Sequence, residues 1–337
     1  MSENFRPLAP LDWPALVDEA LRRRKEEGLT QREHAALAGV SVPTIAGFDR
    51  GETTLTLAKA FDILRVVGLV HEPAAGGAQE GFVRAAFARW QALAKELPKE
   101  SPGRFPHGWY RIDYALDGDL KEVRLTRFES ILRQAVTRHS GWPPFGLPDR
   151  DEIAPYEMDG TVECWLKPEG EAGVRFMSDP AHCDFWRVTP SGRAFLIRGY
   201  QEDGEETFPP GAVFDTTLPI WRMGEVLLHA EKLAALLRPA EGGPITVRFR
   251  ALYGGLGGRV LRSWANPLSN LAIQGGAARA DEAVLVAELP AAGIEERLAE
   301  HIYPLVTSLY ERFGVSGVSS QLVAAEVDHL LASGTRS

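Results

Sequence analysis

The fold of the N-terminal part is decided by residues 29–51, whose sequence is LTQREHAALAGVSVPTIAGFDRG. Thr30 can cap a helix, and Glu33 three places later completes a capping box that satisfies two otherwise unpaired backbone amides. Gly39 supplies the turn that ends this short helix. Ser41 caps the next helix, whose first turn tolerates a proline because amides there have no intrahelical acceptor. The pattern predicts two short helices joined by a tight turn.

The residues around this stretch predict one more helix on each side. Apolar residues recur at helical spacing over about 12–27 and again over about 56–68. Within the central pair, small Ala35 lets the two short helices cross closely, while Val40 and Ile45 fill the angle between them. We therefore expect an all-α domain over residues 1–72.

This arrangement resembles the XRE/Cro-like phage-repressor family of helix-turn-helix domains over about residues 11–70. The resemblance implies that Gln31 holds a backbone phosphate of double-stranded DNA. It also implies that the third helix enters the major groove and contacts bases from its N-terminal half. The DNA-binding residues predicted on this basis are Arg22, Gln31, Arg32, Ser41, Val42, Pro43, Thr44, Gly47, Arg50, Thr53, Thr54 and Lys59.

The sequence departs from that family at two places. His34 stands where the family usually has a leucine, and we favour a core-edge histidine with one hydrogen bond over a pH-sensitive role. The groove-facing side chains of the third helix are mostly apolar, whereas the family more often carries Arg, Gln, Asn or Ser there. Base discrimination is therefore expected to be weak or to depend on DNA shape.

Charge bears on how the predicted N-terminal domain, residues 1–72 and called the head below, could bind DNA. The whole chain of 337 residues carries a net charge of -9, and residues 1–70 hold nine Lys and Arg against ten Asp and Glu. Because phosphate contacts supply most non-specific affinity, a neutral head argues against tight binding by a monomer. We expect a homodimeric repressor on an inverted-repeat operator. The alternative is a protein-interaction module, such as an antitoxin-like or defence-system subunit, whose head docks on a partner.

Beyond residue 72 the pattern changes. Residues 73–108 are expected to form a linker with one connecting helix, since PAAGGAQ at 73–79 and PKESPGRFPHG at 98–108 are rich in Gly and Pro. The remainder, 109–337, is predicted to be a larger α+β sensor or dimerisation domain. Helices are expected at about 124–138, 220–237, 294–313 and 319–331, and strands at 109–114, 161–166, 185–188, 194–200, 246–253, 260–264 and 283–289.

The most distinctive strings of this second domain are HSGWPPF (139–145), DFWR (184–187), LIRGY (196–200), LPIWR (218–222), RSWANP (262–267) and LYERF (309–313). They resemble the C-terminal domain found behind AlbA/Schlafen-type DNA-binding domains in bacterial regulators. The resemblance implies a portable module attached to different DNA-binding heads, as expected of a sensor. It implies no catalytic residue.

Tryptophan and arginine recur side by side in this domain, and Arg beside Trp can hold a planar anion by stacking and by charge-assisted hydrogen bonds. A small anionic or aromatic effector would suit such a site. The competing interpretation, which we favour, is that neighbouring residues of a strand face opposite sides, so that each Trp is core and each Arg is solvated. The residues concerned are Trp186, Arg187, Arg198, Trp221, Arg222 and Trp264.

Motifs for other functions are scarce. Cys164 and Cys183 lack the paired spacing of a zinc site, the Gly254–Gly258 run lacks the lysine of a phosphate-binding loop, and we expect no cofactor, no metal and no enzyme. An enzyme would need a buried cluster of Asp, His and Arg in a deep cleft. With no signal peptide or membrane span and only two cysteines, the expected location is the cytoplasm.

Overall fold

The computed structural model describes residues 12–70, 74–168, 180–205, 207–266 and 275–334. The chain divides into two compact units, one up to residue 77 and one from residue 78 onward. Pro73 of the predicted linker, Pro267 of the RSWANP string and the N-terminal residues 1–11 lie outside the described residues.

The first unit is helical, as predicted. Its core is built from small and apolar side chains that the four helices contribute in turn, with Ala35, Ile45 and Ile63 fully buried and Phe48 almost so. The α2 helix packs against both α3 and α4. The helices are α1 (Trp13–Glu26), α2 (Gln31–Ala38), α3 (Val42–Asp49) and α4 (Leu57–Val66).

The second unit combines a sheet with helices, and so the predicted α+β class is confirmed. Its helices are α5 (Ala74–Lys95), which begins just before the unit, α6 (Leu125–Ala135), α7 (Leu218–Leu237), α8 (Leu298–Tyr310) and α9 (Ser320–Gly334). Its strands are β1 (Trp109–Asp117), β2 (Tyr156–Met158), β3 (Thr161–Trp165), β4 (Phe185–Val188), β5 (Arg193–Gly199), β6 (Val213–Asp215), β7 (Thr246–Gly254), β8 (Val260–Arg262) and β9 (Glu282–Pro290).

Seven of these strands form one antiparallel sheet in the order β2-β3-β4-β5-β1-β7-β9, while β6 and β8 pair separately and in parallel. Alternate residues of a strand face opposite sides, and β1 shows this clearly. Its residues Tyr110, Ile112 and Tyr114 enter the main hydrophobic core. That core lies between the sheet and the helices α6 to α9, and α7 packs directly on β1 and β7.

The opposite face of β1 contacts α5 through Trp109 and Asp113. Phe87 of α5 contacts Trp109, with ring centroids 5.8 Å apart, and Trp90 stacks on Phe105 at 5.5 Å. Arg89 donates to the buried carboxylate of Glu163 on β3 at 3.0 Å. The helix that the sequence places in a linker therefore packs against the sheet, because its apolar positions cover one face. Residues 74–79, predicted as linker from their small residues, already belong to it.

The sequence pattern missed two elements and placed the others closely. The missed strands are β2 and β6, three residues each, too short for the alternation of polar and apolar residues to register. The long strand β1 continues through Ala115, Leu116 and Asp117 beyond its predicted end. Among the described residues, no helix is long and apolar enough to cross a membrane.

Candidate functional site

The two central helices of the first unit are held by local hydrogen bonds that the sequence dictates. The Thr30 hydroxyl accepts from the Glu33 amide at 3.2 Å, and the Glu33 carboxylate accepts from the Thr30 amide at 2.8 Å. Gly39 ends α2 in the left-handed region, at φ 66°. Ser41 caps α3, accepting from the Thr44 amide at 3.3 Å. The turn between α2 and α3 is thus fixed at both ends, which is the geometry of a helix-turn-helix.

An ion-pair cluster ties three helices of this unit together. Arg24 of α1 donates two hydrogen bonds of 2.9 Å to the two carboxylate oxygens of Asp49, the last residue of α3. Gln31, the first residue of α2, donates its amide to the same carboxylate at 2.6 Å. The Arg24 and Asp49 side chains are only 14% and 15% exposed. Gln31, predicted to hold a phosphate, is therefore positioned by Asp49, a residue that sequence reasoning did not single out.

The N-terminal half of α3 carries the side chains predicted to read bases. Pro43 is exposed, and Ser41, Val42 and Thr44 are half-buried. The Thr44 hydroxyl lies 2.8 Å from the Ser41 hydroxyl and forms a hydrogen bond with it. Gly47 lies deeper and is buried, because the Glu52 carboxylate covers it: a Cβ there would lie 2.7 Å from Glu52 Oε2.

The loop after α3 and the start of α4 are open to solvent. Thr53, Thr54 and Lys59 are all exposed. Arg50, also exposed, donates to Glu52 at 2.6 Å. The Thr56 hydroxyl caps α4 by accepting from the Lys59 amide at 3.4 Å, which leaves the lysine side chain available at a helix N-terminus, a favourable place for a phosphate.

The arginines of α1 are paired with glutamates. Arg22 donates to both Glu19 and Glu26, and Arg23 donates to Glu19 at 2.7 Å and to backbone carbonyls after α4. Hydrogen bonds from Arg22 and then Arg23 lower the pKa of Glu19 to about 2. Arg32, at the start of α2, has an exposed side chain. The head is thus close to electrically neutral locally as well as in sum.

His34 is enclosed in the core of the first unit, with 1% of its surface exposed. Its Nε2 lies 2.9 Å from the Ile63 carbonyl, to which the neutral ring can donate. Burial lowers the pKa of His34, and the hydrogen bond to Ile63 opposes this. The residue is therefore a neutral core histidine with one hydrogen bond, as the favoured interpretation expects.

In the second unit the residues predicted to bind a ligand fall at separate places. Trp186 is core and donates to the Gly146 carbonyl at 3.1 Å, whereas Arg187 on the opposite face pairs with Glu163 at 3.0 Å. Trp221 stacks on His329, and Trp264 meets Phe208 edge-on. The strand and helix geometry thus separates each Trp from the neighbouring Arg. The expectation that each Arg is solvated is wrong, because Arg187 and Arg198 are buried and paired with Glu163 and Asp184. Trp221 and Trp264 are only half-buried, so they are not core residues as expected.

Two members of that predicted set do come together. Arg198 of β5 and Arg222 of α7 line one pocket of the second unit, beside Tyr110 and Tyr253. The two tyrosines were missed, since an aromatic residue on the inner side of a strand is typical of any core. Only the structure distinguishes them from other core aromatics: their two hydroxyls have no hydrogen-bond partner within the described residues.

No metal centre is seen among the residues that the structure describes: no three His, Cys, Asp or Glu side chains are grouped to hold an ion. Cys164 and Cys183 are both buried, and neither forms a disulfide. Burial raises the pKa of the Cys164 thiol well above its usual value, so the thiol stays protonated and is a poor metal ligand.

The geometry of the first unit defines a helix-turn-helix domain. A comparison with protein-family models agrees, because residues 21–72 match the family described as helix-turn-helix. The predicted XRE/Cro-like resemblance of the N-terminal part is confirmed, and the domain is of the kind that DNA-binding regulators carry. Comparisons with curated proteins and with solved structures gave no significant match. The AlbA/Schlafen-type resemblance of the C-terminal part stays a prediction.

Proposed function

We propose that this protein is a homodimeric transcriptional regulator, acting as a repressor, that binds an inverted-repeat operator through α3. The observation that carries the proposal is the helix-turn-helix of residues 21–72, matched by its family model and built with capped helices and a left-handed glycine turn. In this class the N-terminal residues of the second helix of the motif contact base edges in the major groove.

The composition of α3 sets what the contact with DNA can be. Val42 and Pro43 offer apolar contact to thymine methyl groups, and Thr44 offers one hydroxyl. The Thr44 hydroxyl already has a partner in Ser41. Direct readout by such a helix is weak, so we infer that phosphate contacts and DNA shape carry much of the selectivity.

Dimerisation follows from the charge of the head. Arg22, Arg24 and Arg50 are each paired with a carboxylate. One head therefore has few cationic side chains that can contact phosphates without first breaking an ion pair. Two heads on half-sites about 34–36 Å apart double the number of contacts and restore affinity. We propose that the second unit holds the two copies together.

The test is fluorescence anisotropy with the DNA upstream of the protein's own gene, against scrambled DNA, at two salt concentrations. Specific binding that weakens with salt is expected, and Lys59→Ala lowers the salt slope by about one if the side chain holds a phosphate. Thr44→Ala should lower affinity for the specific DNA alone. Lys95→Ala, an exposed lysine outside the head, is the matched control and should change neither.

Equal affinity for scrambled DNA, or none for either, would refute an autoregulating repressor. Gln31→Ala is a poorer test by itself, because that change also removes a hydrogen bond to Asp49. It is informative only when thermal unfolding of the variant matches that of the wild type.

A second candidate function is docking on a partner protein, and one observation favours it. Leu57 and Phe61 lie one helical turn apart on α4 and are 65% and 38% exposed, and a pair of exposed large apolar side chains can mark an interaction site. Sedimentation velocity of the wild type and of Leu57→Glu/Phe61→Glu separates the cases. Loss of a dimer in the variant assigns the pair to self-association, whereas an unchanged oligomer leaves it for another protein.

We propose that the second unit acts by binding and not by catalysis. Ser140, in the HSGWPPF string, donates its hydroxyl to the buried Glu225 at 2.9 Å and accepts from Arg222 at 2.8 Å. Neither of these two hydrogen-bond partners, among the described residues, is a histidine that could serve as its base. A hydrolytic or transfer activity would need such a base.

A further inference from the structure

Strand β9 lies at one end of the seven-stranded sheet, next to β7. Within the described part of the chain, residues 283–290 form no backbone hydrogen bonds other than their ladder with β7. On the outer side of the strand, backbone amides and carbonyls are therefore left without a partner from this chain. A nine-residue strand with such an edge is a template for pairing with another strand.

The composition of β9 does little to protect this edge. The strand at the other end of the sheet, β2, has only three residues, and short edge strands are one means by which proteins prevent edge pairing. Residues 283–287 of β9, AVLVA, contain no charge, no proline and no glycine. Val286 is 69% exposed, more than any other large hydrophobic side chain of the described residues. An exposed β-branched residue in the middle of an edge strand favours contact with a second strand.

We propose that β9 pairs with β9 of a second copy of this chain, antiparallel and with the two-fold axis at Val286, so that the two sheets become continuous. The inference rests on the proposed homodimer and names the surface that forms it. Antiparallel pairing of a strand with its own copy is isologous, as a two-fold dimer requires. One surface therefore serves both copies, and no second docking site is needed.

The charges of β9 select this register. Residues 282–288 have the sequence EAVLVAE, which is the same in both directions, so two registers bring the apolar residues together. An axis at Leu285 would place Glu282 of each copy opposite Glu288 of the other, and like charges directly opposite are destabilising. An axis at Val286 places the two exposed valines together and Glu288 opposite Val284. In that register no two glutamates are directly opposite.

The core sides of the two strands match in size in the same register. Ala283, Leu285 and Leu289 belong to the main core, and Ala287 packs against it. With the axis at Val286, Leu285 lies opposite Ala287 of the other copy, and Ala283 lies opposite Leu289. Each pair sets a large side chain against a small one, which lets facing positions interdigitate without strain.

The first experiment is sedimentation velocity of the full chain, without DNA, over a range of protein concentrations. The wild type should dimerise. Val286→Lys should raise the dissociation constant of the dimer about tenfold or more, because two lysines then meet at the axis. The Val286 side chain is mostly exposed, so the variant should fold like the wild type, which circular dichroism checks. Val260→Lys, at the exposed valine of β8, is the matched control and should dimerise like the wild type.

The second experiment tests the register. Opposite residues of antiparallel strands have Cα atoms about 4.5–5.5 Å apart, a separation that a disulfide can span. Val286→Cys should therefore form a covalent dimer under mild oxidation, seen on a non-reducing gel, and Val260→Cys should not. Cys164 and Cys183 are buried and should not form cross-links between copies.

The outcomes separate this inference from the proposed function. A wild type that stays monomeric at every concentration would overturn the homodimer and this inference together. An unchanged dimer in Val286→Lys, with no cross-link from Val286→Cys, would overturn this inference alone and leave the homodimer in place. Dissociation of Val286→Lys without a cross-link from Val286→Cys would overturn the axis at Val286.

Discussion

His229, in the middle of α7, lets the pH dependence of folding be predicted from one buried side chain. The ring is fully buried and stacks on Phe145 with centroids 4.4 Å apart. Its Nδ1 forms a hydrogen bond of 2.9 Å with the Tyr114 hydroxyl, in which the ring tautomer sets the donor, and no described residue bonds its Nε2. Burial, with a smaller effect from Lys232, lowers the pKa of His229 from 6.5 to about 3.

The sign and size follow from linkage. Because the pKa is lower in the folded chain, the stability that neutral His229 contributes is fully present above pH 6.5 and is lost as the pH falls toward 3. Between about pH 7 and about pH 5, His229 becomes protonated in the unfolded chain but stays neutral in the folded chain. That difference lowers the free energy of unfolding by about 2 kcal/mol.

Another residue hides this loss in the wild type. The pKa of Glu202 rises from 4.5 to about 7 on folding, so the charged carboxylate is unfavourable in the folded state. Its cost, which is greatest above pH 7, is relieved as the pH falls, by about 2 kcal/mol over the same interval. The net pH dependence is therefore small, and only a comparison between two proteins isolates His229.

The assay is urea unfolding at both pH values, followed by tryptophan fluorescence, since seven of the eight tryptophans lie after residue 77. His229→Asn keeps an acceptor near the Nδ1 position for Tyr114 but cannot titrate. When the pH is lowered from about 7 to about 5, the free energy of unfolding of the variant should rise by about 2 kcal/mol relative to that of the wild type. This change is independent of any stability that the substitution costs at neutral pH. Parallel pH dependence in the two proteins would refute the reasoning.

Three further outcomes are expected from the contacts of each unit. Thr30→Ala removes the capping hydroxyl of α2 and should lower the stability of the head by about 1 kcal/mol in thermal unfolding; no change would mean that solvent caps the helix equally well. Asp49→Asn weakens the pairing with Arg24 and should cost about 1–3 kcal/mol, measured in the same way, with Glu52→Gln at an exposed pair as the neutral control. Asp113→Ala removes the carboxylate beside the fully buried Arg111 and should lower the free energy of unfolding in urea by about 3–5 kcal/mol. A loss under about 1 kcal/mol, the size expected of an exposed pair, would contradict this prediction.

The helix-turn-helix was predictable because its determinants are local. Thr30, Glu33, Gly39 and Ser41 each act within three or four residues of their own position, through caps and a left-handed turn. The Arg24–Asp49 pair is different, since 25 residues separate its partners. Nothing in the spacing of charges shows which of Arg22, Arg23 and Arg24 meets a carboxylate at the end of α3.

The position of α5 shows a second limit. Its small and polar first turn is typical of a linker, and only Phe87, Arg89 and Trp90 point to burial. Phe87 and Arg89 find partners on β1 and β3, which the sequence separates from them by about 20 to 75 residues. Whether such a helix spans two domains or covers a sheet is decided by long-range contacts alone.

The pocket of the second unit depends on local sequence and on long-range contacts together. The sequence pairs Trp186 with Arg187 and Trp221 with Arg222, but adjacency in a strand or helix sends the two side chains to different faces. Arg198 and Arg222 approach each other only because α7 starts above β5 and β1 in the folded sheet. Burial of these arginines is compensated by two acids, Asp184 and Glu225, because a buried charge without a partner would be strongly destabilising.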